Sequence, residues 1–156
     1  MSYVVSGLPA EPFQALFGLS DEELAAKGVV RIIADDDGFY PCRVLLEDAK
    51  PGEALLLLNY EHLPVDTPYR ASHAIFVKEG AGEPRSFVDE MPTLLATRRS
   101  IGLRAYDAAG MMVDADVMPG PDVEAAVLRL FSDPQVAYIH AHNVARGCYA
   151  ARIERG

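Results

Sequence analysis

From residue 29 to residue 118 the chain runs as short apolar segments cut by turn residues, and that rhythm restricts it to a sheet-based fold. "VVRIIA" at 29–34 is rich in β-branched residues and stops at "DDDG" at 35–38. "CRVLLED" at 42–48 and "EALLLLNYEHL" at 53–63 are separated by "AKPG", which reads as a turn between paired strands. "ASHAIFVKEG" at 71–80 supplies another strand. "SIGLRAYDAAGMMVDADVM" at 100–118 reads as a hairpin turning between Asp107 and Gly110. The intervening "AGEPRSFVDEMPTLL" at 81–95 is the longest irregular stretch, where a lid, an edge or a functional rim is expected.

Helical signals are fewer. "PAEPFQALFG" at 9–18 puts Phe13, Leu16 and Phe17 on one face, and Ser20 with Glu23 forms a capping box that opens a second short helix closed near Gly28. In "PGPDVEAAVLRLFSDP" at 119–134, Val123, Ala126, Val127, Leu130 and Phe131 form a core-facing stripe. The last segment returns to strand as "VAYIHAHN", a turn through "VARG", and "CYAARIE". These elements predict one α+β domain over residues 1–156, a largely antiparallel sheet with a few covering helices.

Charge removes several function classes. With 23 acidic against 14 basic residues the chain carries a net charge of -9, which repels nucleic-acid phosphates and anionic membranes alike. "ALLLL" at 54–58 falls far short of a membrane span, and the N-terminal residues show no basic and apolar pattern of an export signal. The cytoplasm is the expected location, with Cys42 and Cys148 as reduced thiols. Phosphate-loop, dinucleotide, serine-elbow and His-Glu-x-x-His motifs are all missing.

Three stretches are rich in chemistry. Alternation along "VAYIHAHN" places Tyr138, His140 and His142 on one face and Ile139 and Ala141 on the core side. Two imidazoles at i and i+2 of a strand can reach one divalent metal ion, or serve as acid and base. A metal needs a third ligand, for which Asp114 is a candidate, with Asp116, His73, Glu61 and His62 as alternatives. The competing reading is an exposed or hydrogen-bonded histidine pair on a solvated sheet face. Cys148 lies across the turn from His142 and two residues from Arg146, so it is a candidate nucleophile; packing is the plainer role for such a residue. In "NYEHLPVDTPYRASHAIFV" at 59–77, Arg70 and His73 sit on a stiff loop suited to a carboxylate or phosphate, unless Arg70 pairs with one of the many acids. Asn143 and Arg146 join them as ligand-binding candidates.

The stretches "LLLLNYEHLPVDTPYRASHAIFV", "RAYDAAGMMVDADV" and "AYIHAHNVARGCYAARI" resemble the bacterial family catalogued as domain of unknown function 1203. The resemblance implies a stand-alone single-domain bacterial protein and carries over no activity, cofactor or catalytic residue. The residues themselves point to a small-molecule binding or enzymatic site built from segments 59–73 and 138–149, taking a small anionic molecule and in one form a divalent metal. The alternative is a non-catalytic binding or interaction module without metal.

Overall fold

The computed structural model describes residues 1–156 as two mostly antiparallel sheets with four short helices, an α+β arrangement. The first sheet contains β1 (Tyr3–Ser6), β7 (Ser86–Val88), β8 (Ile101–Tyr106), β9 (Met112–Met118), β10 (Tyr138–Asn143) and β11 (Tyr149–Arg155), in the order β7-β1-β11-β10-β8-β9. The second contains β2 (Val30–Ile33), β3 (Pro41–Cys42), β4 (Glu47–Asp48), β5 (Ala54–Leu63) and β6 (Ala71–Lys78), ordered β2-β5-β6-β3-β4. Its one parallel contact joins β3 to β6 through Cys42 and Phe76. The helices are α1 (Glu11–Gln14), α2 (Asp21–Ala25), α3 (Thr93–Ala96) and α4 (Val123–Phe131).

Two apolar cores follow from the strand faces. One side of the first sheet, with Leu103, Ile139 and Ala141, packs on the stripe of α4 that ends in Leu130 and Phe131. The second core joins Leu56 and Leu58 of β5, Ile75 and Val77 of β6, Phe13 and Leu24 of the N-terminal helices, and Tyr149 of β11. Because side chains alternate, the β5 face that carries Leu56 and Leu58 also carries Tyr60 and His62, and the β6 face with Ile75 and Val77 also carries His73. The core between the sheets therefore grades into a layer of imidazoles.

The capping box forms as expected, with Ser20 and Glu23 each satisfying the other's backbone N–H. Two segments differ from expectation. Residues 42–48 do not run as one strand beside 53–63; a turn over 43–46 separates two-residue strands, and β4 lies at the far edge of the sheet from β5. Pro41, Cys42, Arg43 and Val44 are all buried, and the turn's carbonyls at Arg43 and Val44 accept from Leu8 and Arg85, so tertiary partners override the strand pattern. Residues 81–95, expected to be irregular, hold β7 and α3; β7 gains its order from pairing with β1, where Val5 faces Phe87.

Candidate functional site

All four histidines converge between the sheets. His62 of β5 lies with its Nδ1 3.1 Å from Nδ1 of His140 on β10, and its Nε2 2.7 Å from Nδ1 of His73 on β6. One nitrogen each of His62, His140 and His142 lies within 4.8 Å of the others, and all three side chains are buried. The imidazole face of β10 thus looks onto the second sheet and is buried, not solvated. The ring of Tyr149 stacks on His62 at 4.9 Å and closes the site from β11.

Hydrogen bonding fixes the state of His142. Its Nδ1 is 2.9 Å from the Gly147 carbonyl, which only accepts, so Nδ1 carries the proton and Nε2 keeps a lone pair. That Nε2 is buried and has no hydrogen-bond partner. The partner carbonyl exists because Gly147 adopts φ +74, a left-handed turn conformation open to glycine, and so folds the 144–147 turn back onto His142.

Burial, before any other cause, holds the imidazoles uncharged. It pushes His62 down to about 4, with His73 and Arg104 adding to the effect. His142 is pushed down to about 3, against a smaller opposing contribution from the Gly147 bond, and His140 to about 2, with His62 and His142 as further causes. His73 is lowered by burial and by Arg104. His140 stands in register between Arg104 on β8 and Arg152 on β11. The cluster is a set of neutral nitrogen donors in positive surroundings.

Beside this layer opens a cleft of about 710 Å³, reached by His73, Asn143, Arg146 and Cys148. Cys148 Sγ accepts from Arg43 Nη2 at 3.3 Å and Asn143 Nδ2 at 3.5 Å. Arg43 also donates to the carbonyls of Tyr149 at 2.8 Å and Pro41 at 2.6 Å. Both cysteines are free thiols.

Two anticipated residues lie elsewhere. Asp114 is exposed on the edge strand β9, in register with Ala105 and through it with Ile139, which is the sheet face opposite His140 and His142. It is not in the metal-capable cluster, and His62 fills the third place. Arg70 makes a two-pronged ion pair with Glu61 on the exposed surface and does not line the cleft, as its competing reading held. Reasoning from sequence passed over Arg43 and Tyr149. The period-two alternation of β5 could have promoted His62, since it continues the Leu56, Leu58, Tyr60 face; no local signal marks Arg43 as buried.

No helix of the protein is long and apolar enough to cross a membrane. No curated protein and no solved structure matches the chain. The family described as "Protein of unknown function (DUF1203)" matches residues 39–155, a span that holds every residue of the histidine cluster and of the Arg43–Cys148 contact, and the chain belongs to that family.

Proposed function

We propose that the protein binds one transition-metal ion through His62, His140 and His142 and uses it to hold or transform a small anionic molecule. The observation that carries this reading is His142 Nε2, a buried lone pair with no protein partner beside two other neutral imidazoles. A buried acceptor left unpaired is costly, and metal coordination satisfies it. Two nitrogens bound to one tetrahedral ion at about 2.0–2.1 Å stand roughly 3.3 Å apart, close to the 3.1 Å between His62 and His140.

The second layer fits the same reading. His142 is oriented by the Gly147 carbonyl, and His62 coordinating through Nδ1 donates its Nε2–H to His73. Three imidazoles without a carboxylate suit zinc, copper, iron or nickel and disfavour magnesium and calcium. Three protein ligands leave a coordination position open, as in catalytic rather than structural centres. Of the two arginines in register with His140, Arg152 is paired with Glu154, whereas Arg104 takes part in no salt bridge and leaves a positive charge that an anionic ligand balances. Such an ion polarises a coordinated oxygen of the bound molecule or of water. A reducing compartment such as the cytoplasm suits the two unpaired cysteines.

Cobalt(II) titration of metal-free protein tests the proposal. Visible absorption saturating at one equivalent is expected, absent in His62→Ala and in His142→Ala, and retained in Asp114→Ala. His73→Ala should weaken binding by about 10–100-fold, the usual cost of losing an outer-shell partner. A second reading draws on the continuous hydrogen bonds from His73 through His62 to His140, which form a metal-free proton relay. A native protein that gives no cobalt spectrum favours that relay.

A further inference from the structure

The cleft beside the histidines has a charge character opposite to the protein as a whole. The chain has 23 acidic and 14 basic residues, yet no aspartate or glutamate lines this cleft, while Arg43, Arg98 and Arg146 do. Arg98 is neutralised by both oxygens of Asp48. The other two guanidiniums are not balanced in that way. Arg146 is exposed at the rim and takes part in no salt bridge of the protein.

Arg43 is the stronger observation. It is 1% exposed, and its partners are two carbonyls and the Cys148 thiol, none of them a carboxylate. An arginine buried without a counter-ion is costly to keep charged unless an anion approaches it. Burial pushes its guanidinium below the usual arginine range. Its Nη2 and the amide of Asn143 converge on Cys148 Sγ, and all three residues line the cleft. The rest of the lining includes Phe39, Tyr40, Leu57 and Phe76, so the occupant has an apolar body as well as a charge.

We propose that this cleft binds a small organic carboxylate, with Arg146 drawing it in, Arg43 and Asn143 at its polar end and Cys148 Sγ presented to it. None of His62, His140 and His142 lines the cleft, so the site stands independently of the metal reading. The nearest link between the two is His73, which lines the cleft and bonds to His62.

Paired alkylating agents of equal size and different charge provide the test. With iodoacetate or iodoacetamide, the sulfur attacks the iodine-bearing carbon, the C–I bond breaks with its electron pair leaving as iodide, and the thiol proton passes to water. The iodoacetate-to-iodoacetamide rate ratio at Cys148, read by peptide mass spectrometry, is compared with that of 2-mercaptoethanol. A cationic cleft raises local anion concentration by roughly tenfold or more, so the ratio should exceed the free thiol's by about that factor and shrink in high salt. Benzoate should slow the iodoacetate reaction, and Arg146→Gln, at an exposed position, should return the ratio toward the free-thiol value. Buried Cys42 is the internal control. A ratio no higher than the free thiol's, a ratio unmoved in Arg146→Gln, or a Cys148 that neither reagent reaches overturns the proposal. Repeating the measurement with chelator present should leave the ratio unchanged, so failure of the metal centre and failure of the cleft are told apart.

Discussion

His142 keeps one nitrogen committed to the Gly147 carbonyl and the other free, so its side chain is arranged for a ligand and contributes little to the metal-free fold. Replacing it with leucine removes a costly unpaired acceptor and also one hydrogen bond of about 1 kcal/mol, and the two changes nearly offset. His142→Leu should therefore shift metal-free stability by less than about 1 kcal/mol in urea unfolding while abolishing metal binding. By contrast Ile139→Ala, on the packed face of the same strand, should cost about 2–5 kcal/mol. The imidazoles also make the metal-free protein acid-sensitive. An unfolded histidine takes up a proton near pH 6.5. In the fold His62, His142 and His140 resist until about 4, 3 and 2. Stability is thus fully present above about pH 6.5 and is lost as pH falls toward those folded values, by up to about 1.4 kcal/mol per pH unit for each histidine. Urea midpoints at pH 7 and pH 5 check this, and equal stabilities at the two values would contradict it.

At the scale of elements, Arg43 owes its position to a turn that a neighbouring strand holds down. A Cβ on Gly7 would lie 2.0 Å from the Val44 carbonyl oxygen, so only glycine lets the end of β1 approach the 43–46 turn. Gly7→Ala should cost about 1–3 kcal/mol and loosen the Arg43–Cys148 contact, seen as altered alkylation of Cys148. Ser20→Ala, which removes the cap of remote α2, should cost about 1 kcal/mol and leave both sites intact. The capping box, the α4 stripe and the β10 alternation were legible because each is set by spacing within one segment. Segment 42–48 was not, since its backbone bonds to residues 8 and 85, and no local pattern encodes partners so distant. The same reason hid Arg43, and it made Asp114 look available when cross-strand register turns it to the other face.

Across the whole molecule, the histidines tie one sheet to the other: His62 and His73 come from the second sheet, His140 and His142 from the first. An ion bound there cross-links them and binds only the folded state. At a thousandfold excess over its dissociation constant it stabilises by about 4 kcal/mol, which appears as a raised melting temperature in the native protein and not in His62→Ala. The most direct test is the metal content of protein purified without a histidine tag, measured by elemental analysis beside His62→Ala and His142→Ala. Close to one zinc, copper, iron or nickel ion per chain is expected in the native protein and none in either variant. Native protein that carries no metal, even after growth with added metal, or variants that retain it, would rule out a metal centre at His62, His140 and His142.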